Sequence, residues 1–381
     1  MKTLFGWVGL LALLVGCGEN PGVMDGRGDG AGEAAERATA LPPPDLVAWT
    51  TDGDLALVNG DSGSVRSVAT SARLSGSRAA VFDPWASRVV TFEGDLDGPS
   101  GEVATYAVAS HALGERARLV SIDGDARPLP SPLGPVLFEA SYGSRWRVLL
   151  DSGAASHSAA ALAPRSAWIT SDAGGTFAHG VGESPEGTLV HTTARVDSSG
   201  VTVTEAVPLP ISSVSRPSTA QVMPGLGALL FVDVVGPRLV VFWFEGTTRF
   251  MHTFVPVGTL HGASEDTRVG AALALDGGSI IVVTLSKPSR LVALALNPQR
   301  QVASHDMIGL AGELPAPDRF FRRDLVANDA HRVYAATSEG VWAADVSLRE
   351  GAIHLTRVSF PGGGNLRGPL DVVGSGAHAP R

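Results

Sequence analysis

From residue 45 onward the chain alternates short apolar runs with clusters of Gly, Asp, Asn, Ser and Pro. Runs of four to eight residues rich in Val, Ile, Leu and Phe, bounded by turn formers, predict β-strands joined by tight turns. Residues 47–51, 55–58, 80–82, 89–92, 229–232, 239–244, 272–275, 280–285, 325–327 and 333–336 fit this pattern. In residues 242–244, Phe-Trp-Phe puts aromatics on alternating faces of one strand, so at least one of them faces a core. No stretch carries apolar residues at a sustained helical period between capping residues.

The strands come in a repeated unit: a strand, an acidic residue at the turn, a few polar residues, then a second strand. The acid is Asp52, Asp83, Asp233, Asp276 and Asp329 in the clear copies, and Glu139 and Glu186 in two weaker ones. The mean spacing is about 46 residues, the length of a four-stranded propeller blade. The pattern therefore predicts an all-β chain, a β-propeller of seven four-stranded blades, with six or eight also compatible. The first interval is short. It predicts that residues 46–49 complete the last blade as its outer or inner strand, closing the ring without an exposed edge. Two stacked sandwiches are the competing arrangement; they predict blocks of about 100 residues and no seven-fold spacing.

The N-terminus follows a different pattern. Lys2 precedes an apolar run through residue 16, the layout of a secretory signal. The run is shorter than the roughly 20 residues that span a bilayer. It ends Leu14-Val15-Gly16-Cys17, and Cys17 is the single cysteine of the chain, so no internal disulfide exists. The segment resembles the lipobox of bacterial lipoproteins. That resemblance implies a signal peptide at 1–16 and lipidation of Cys17 by palmitate-type acyl chains. Several chains are needed for stable membrane anchoring, because one alone holds only marginally. Gly18 follows, not the Asp that retains many such proteins at the inner membrane, which favours the outer membrane in a Gram-negative cell.

Residues 17–44 are rich in Gly, Ala, Pro and charge, with little to bury, and predict a disordered tether. The Arg27-Gly28-Asp29 tripeptide within it is expected by chance in such a tract. Residues 45–381 form the folded domain, with no second linker of this kind. Composition narrows the partners. The formal charge is −9, and loss of Lys2 with the leader makes it more negative. Nucleic acid and anionic membrane surfaces are therefore excluded as partners, since no basic stripe exists to neutralise phosphates.

One segment is more specific. Thr170-Ser171-Asp172-Ala173-Gly174-Gly175-Thr176-Phe177 follows a strand-like Trp168-Ile169 and resembles the Asp-box of sialidase-like propellers. In that family the box is a folding element. The resemblance assigns Thr170, Asp172, Gly174, Thr176 and Phe177 structural roles: Asp172 accepts backbone N–H bonds within the turn, the glycines allow positive φ, and Phe177 docks into the blade. Residues 336–342, ending in Trp342, look like a relative lacking the aspartate.

Chemistry is sparse. Gly60-Asp61-Ser62-Gly63 resembles the nucleophile segment of chymotrypsin-like proteases. No histidine precedes Ser62, so that family's residue order is impossible and a tight turn is expected. Glu93, Asp95, Asp97 and Glu102 have part of the spacing of a Ca²⁺ loop, but an EF-hand's twelfth position would be Ala104. An acidic hairpin tip is the plainer reading, and no cofactor other than Ca²⁺ is suggested. The ten histidines are scattered singly, without metal-ligand spacing. A sialidase needs a tyrosine paired with an acid, and the chain offers Tyr106, Tyr142 and Tyr334. Residues 319–324 (RFFRRD) are the densest basic cluster and read as a solvated loop or an anion contact at the channel mouth.

These features predict an envelope-anchored lipoprotein whose propeller binds or scaffolds an unidentified protein or carbohydrate, with no catalytic residues assigned. The alternatives are an envelope hydrolase for glycans or lactones with its site in the central channel, and a structural subunit of an envelope complex.

Overall fold

The computed structural model describes residues 45–72, 78–94, 100–124, 126–139, 145–149, 155–158, 168–171, 175–183, 186, 188–208, 219–223, 228–235, 238–245, 249–256, 268–275, 279–286, 290–296, 302–309, 325–328, 332–337, 339–349 and 352–373. The chain divides into two units, Met1–Pro42 and Pro43–Arg381. The signal, Cys17 and the tether lie outside the described residues, as do residues 319–324.

Residues 45–373 are all-β: seven antiparallel four-stranded sheets among the described residues. The first sheet joins β1 (Asp45–Thr50), β2 (Leu55–Asn59) and β3 (Val65–Ala69) to the last strand of the chain, β28 (Leu366–Val373), in the order β28-β1-β2-β3. The second is β4 (Arg78–Asp83), β5 (Arg88–Gly94), β6 (Ser100–Ala109) and β7 (Ala112–Asp123). The third is β8 (Ala126–Leu129), β9 (Val136–Glu139), β10 (Arg145–Leu149) and β11 (Ala155–Ser158). The fourth is β12 (Trp168–Ser171), β13 (Phe177–Glu183), β14 (Leu189–Asp197) and β15 (Gly200–Pro208). The fifth is β16 (Thr219–Met223), β17 (Ala228–Val235), β18 (Arg238–Glu245) and β19 (Arg249–Pro256). The sixth is β20 (Arg268–Leu275), β21 (Ile280–Ser286), β22 (Arg290–Leu296) and β23 (Val302–Gly309). The seventh is β24 (Leu325–Ala327), β25 (Arg332–Thr337), β26 (Gly340–Arg349) and β27 (Ala352–Val358), and a 3-10 turn at Pro361–Asn365 leads into β28.

Period-two alternation explains why these strands read as nearly continuous apolar runs. In β1, Leu46 and Ala48 pack toward the seventh sheet, against Tyr334 and Val341. Val47 and Trp49 face the other way, onto Ala80, Phe82 and Tyr106 of the second sheet. Strand β2 divides the same way, with Ala56 and Val58 on one side and Leu55 and Leu57 on the other. A sheet buried on both faces needs apolar residues at every position. Each such side chain contributes about 1.5–3 kcal/mol on burial. Similar cores join the second sheet to the third and the sixth to the seventh. First strands of neighbouring sheets also touch: β28 against β4, β4 against β8, β12 against β16, β16 against β20, β20 against β24 and β24 against β28.

Three details correct the sequence reading. Residues 46–49 do not complete the last blade. They form β1, an interior strand paired on one side with β2 and on the other with β28. The C-terminal strand β28 lies at the edge of that sheet, beside β1. Second, Asp233 lies inside β17, opposite Val240 of β18, rather than at a turn. Third, the repeated unit is not one hairpin. It spans the first and second strands of three sheets (β4–β5, β20–β21, β24–β25) and the second and third of the other four. The short first interval is this change of phase.

The 60–63 segment is the turn between β2 and β3. The Asn59 side-chain oxygen accepts the N–H groups of Asp61 and Ser62, each at 2.9 Å. At the β6–β7 hairpin, Ser110 and His111 both have positive φ (49° and 61°), the backbone of a two-residue turn that follows the strand twist.

Candidate functional site

The largest polar network described lies where the second sheet meets the first. Glu93, near the end of β5, is 1 % exposed. Its Oε1 accepts bonds from the Tyr106 hydroxyl and the Thr91 hydroxyl, both at 3.1 Å, and its Oε2 accepts the Ala72 N–H at 2.6 Å. Glu102 stands directly opposite on β6, a like-charge pairing that is unfavourable by itself. Arg116 of β7 bridges the two: its Nη2 donates to Glu102 at 2.6 Å and its Nε lies 3.6 Å from Glu93. Arg118 Nε adds a second contact to Glu102 at 3.3 Å. Two of the four Ca²⁺ candidates, Glu93 and Glu102, are thus brought together, but with an arginine between them. Asp95 and Asp97 lie outside the described residues. Among the described residues no group of three or more His, Cys, Asp or Glu is placed to hold a metal.

Tyr106 has the company of a sialidase nucleophile, an acid and an arginine, without the chemistry. It is fully buried. Burial first, then the Glu93 carboxylate, push its phenol well above the ordinary range, so it donates a hydrogen bond and does not ionise. Tyr334 is also buried and raised, chiefly by burial. It donates to the Gly60 carbonyl at 3.0 Å and ties the seventh sheet to the first. Tyr142 lies outside the described residues.

The remaining acids of this region work locally. Asp83 closes the β4 strand: its Oδ1 accepts the N–H of Trp85 at 3.1 Å and of Ala86 at 3.4 Å, and its Oδ2 pairs with Arg88 Nε at 2.9 Å. This is the reason for an acid at such a turn. In the seventh sheet Asn328 does the same work, its side-chain oxygen accepting the Arg332 N–H at 2.9 Å. Asp329, the acid read from the sequence, lies outside the described residues. Asp371 of β28 reaches across to the neighbouring sheet, its Oδ2 accepting the Phe82 N–H of β4 at 2.7 Å. Asp45 holds Arg66 Nε at 2.5 Å and His111 Nδ1 at 2.6 Å, joining β1, β3 and the β6–β7 turn.

A second convergence is built from loops. The first hairpins of the second, third and fourth sheets meet at Gly175, whose φ is +64°. A Cβ there would lie 2.7 Å from the Trp85 ring, 2.7 Å from Pro132 Cδ and 3.0 Å from Ser131 Cα. Three successive sheets are therefore in contact at one end of their first strands. Of the Asp-box residues, Thr170 lies in β12 and Phe177 opens β13, while Asp172 and Gly174 fall outside the described residues. Thr176 is exposed. Phe177 is 37 % exposed. In the related segment at 336–342, Thr337 Oγ1 accepts the Glu339 N–H at 3.1 Å, and Arg357 stacks 3.5 Å from the Trp342 ring.

Sequence reasoning missed Arg116, Asp371 and Trp85. Each acts on a residue of another strand or another sheet, and nothing local marks it. Among the described residues no helix is long and apolar enough to cross a membrane.

No family model matches the chain, and no curated protein matches it. Solved structures do. The periplasmic gluconolactonase of Pseudomonas aeruginosa matches at 15 % identity over 87 % of this chain and 99 % of that one, with a TM-score of 0.60. A proposed 6-phosphogluconolactonase from Bacteroides uniformis matches at 12 % identity over 87 % of this chain and all of the other, with a TM-score of 0.61. A protein of unknown function from Desulfotomaculum acetoxidans matches at 11 % identity over 87 % and 99 %, with a TM-score of 0.58. At such identities the likeness is one of fold: a propeller-like, all-β chain of the kind seen in lactonases.

Proposed function

We propose that the protein is an exported lipoprotein, cut after residue 16, acylated at Cys17 and held by the tether 17–44 at the envelope, with the outer membrane favoured. Residues 45–381 form a seven-bladed propeller, with β28 closing the ring, that binds a protein or glycan. Thr170, Asp172, Gly174, Thr176 and Phe177 belong to a structural Asp-box. One observation carries the choice of binding over catalysis. Among the described residues of the first, second and seventh sheets, the acids and phenols that chemistry would use (Glu93, Glu102, Asp83, Asp371, Tyr106, Tyr334) are already bonded within the fold. General acid–base work needs such a group free to meet a substrate. The hairpins at the strand ends are then the natural recognition surface, loops held on rigid sheets.

A second reading is a lactone hydrolase, favoured by the fold likeness to the P. aeruginosa gluconolactonase; fold alone does not carry activity across. One assay separates the two. Purified full-length protein is given glucono-δ-lactone and 6-phosphogluconolactone, and ring opening is followed as base uptake at constant pH. A rate equal to the uncatalysed one is expected. Saturable turnover abolished by boiling would replace binding with hydrolysis.

A further inference from the structure

We propose that Asn59, at the turn between β2 and β3, is a self-modification site. Its side-chain amide is attacked by the backbone nitrogen of Gly60, loses ammonia through a cyclic imide, and becomes aspartate or isoaspartate. The conversion acts on the seam between the first and seventh sheets and is independent of what the domain binds.

The turn is arranged for this chemistry. Asn59 is the one asparagine of the chain followed by glycine, and a residue without Cβ leaves its nitrogen unshielded toward the Asn59 Cγ. Nucleophile and electrophile sit on adjacent residues, so no loss of encounter entropy opposes the step. The Asn59 Oδ1 accepts the N–H groups of Asp61 and Ser62, each at 2.9 Å. Those donors stand where negative charge gathers as Cγ becomes tetrahedral, the arrangement that stabilises an oxyanion. The oxygen is thus held, while the leaving nitrogen, Nδ2, has no partner among the described residues. Gly60 is buried, which slows removal of its proton, but Asn59 is half-buried and Asp61 and Ser62 are exposed, so water reaches the turn. Hydroxide takes the Gly60 N–H proton, the Gly60 N–Asn59 Cγ bond forms, the Cγ–Nδ2 bond breaks, and ammonia departs with a proton from water. Water then opens the imide at either carbonyl. One opening gives an aspartate; the other reroutes the main chain through Cγ and lengthens it by a methylene.

The same turn clasps two sheets together. The Gly60 carbonyl accepts the Tyr334 hydroxyl at 3.0 Å, and the Asp61 carboxylate accepts from Arg332 Nη1 at 2.9 Å. Gly63 lies against Phe360, where a Cβ would stand 3.0 Å from the ring. The Asn59 main chain is held on both sides: its N–H donates to the Ser64 carbonyl at 2.8 Å, and its carbonyl accepts the Gly63 N–H at 2.9 Å. An aspartate at this position keeps the main chain and the accepting oxygens. An isoaspartate shifts every one of these contacts by the length of a methylene. The isoaspartyl form alone therefore loosens the seam, beside the sheet in which the last strand of the chain pairs with the first.

The test ages full-length protein at mildly alkaline pH and samples it over weeks by peptide mass mapping, with isoaspartate counted by enzymatic methylation. Asn59 is expected to convert at least tenfold faster than Asn328 and Asn365 of the same molecules. Gly60→Ala, whose Cβ crowds the attacking nitrogen, should slow the conversion at least fivefold. Aged protein should melt lower in proportion to its isoaspartate content, whereas fresh Asn59→Asp should melt within about 1 °C of wild type. Conversion at Asn59 no faster than at Asn328 and Asn365 overturns the site. Equal rates in wild type and Gly60→Ala overturn the imide route. Full conversion to isoaspartate with an unchanged melting temperature overturns the loosening of the seam.

Discussion

Replacing Glu93 by Gln keeps the side chain's length and volume while removing its charge and half its accepting capacity. Glu93 now receives three hydrogen bonds, two on Oε1 and one on Oε2. If the new amide oxygen faces Thr91 and Tyr106, the amide NH₂ meets the Ala72 N–H, donor against donor, where an acceptor stood at 2.6 Å. One buried donor left unsatisfied costs about 1–3 kcal/mol. Arg116 also loses one of its two carboxylates. It keeps Glu102 and its side chain is 20 % exposed, so solvent screening holds that loss to about 1 kcal/mol. Together the change should destabilise the fold by about 2–4 kcal/mol. A domain of about 340 residues has an unfolding entropy near 0.7 kcal/mol/K, so the melting temperature should fall by about 3–6 °C in scanning calorimetry. Tyr106→Phe removes one donor and leaves Glu93 two, which predicts about 1 kcal/mol and a drop under 2 °C. Because the two residues share a bond, the double variant should lose less than the sum of the singles. A Glu93→Gln protein melting within 1 °C of wild type, or strict additivity with Tyr106→Phe, would refute the network.

Other consequences follow from separate parts of the molecule. Gly363 and Gly364 are adjacent and alike in sequence, but a Cβ on Gly363 would collide with the Val341 carbonyl while one on Gly364 meets nothing within 4 Å; Gly363→Ala should cost about 3 kcal/mol or more and Gly364→Ala about 0.5 kcal/mol or less, read from denaturant midpoints. Tyr106 and Tyr334 hold their protons more tightly folded than unfolded, so their stabilisation is complete below about pH 10, where an unfolded phenol ionises, and is lost as pH rises beyond it; melting temperature should fall above that pH, less steeply in a Tyr106→Phe, Tyr334→Phe double variant. Changing Cys17 to Ser should move the protein from the membrane pellet to the soluble fraction, and continued sedimentation with membranes would remove the lipid anchor from the proposal.

The strands were legible where a strand is buried on both faces. A strand such as β2, with Leu55 and Leu57 facing one neighbour and Ala56 and Val58 the other, has no polar position to blur the apolar run. Turns were legible where one residue makes them, as Asn59 does before Gly60-Asp61-Ser62. Phase was not. A hairpin between first and second strands and one between second and third look alike locally, since both are an apolar run, a capping acid and another run. What distinguishes them is which strand abuts the next sheet, a contact made far along the chain. The same blindness misplaced 46–49. Nothing in that segment says that its second partner is β28, whose register against β1 pairs Asp45 with Val373.

The polar network was half legible, and the missing half decides its chemistry. Glu93 and Glu102 lie nine positions apart around an acidic tip, so their proximity could be read as a cation loop. Arg116 comes from the next strand, and its arrival between them puts a guanidinium where a metal ion would have to sit. Sequence spacing reports which charges are near; it does not report which have been cancelled. The Asp-box shows the converse. Its glycines were read as turn formers, but Gly175 is also required by Trp85 and Pro132 from two other sheets. A glycine assigned to one turn by its motif therefore also serves a junction of three sheets.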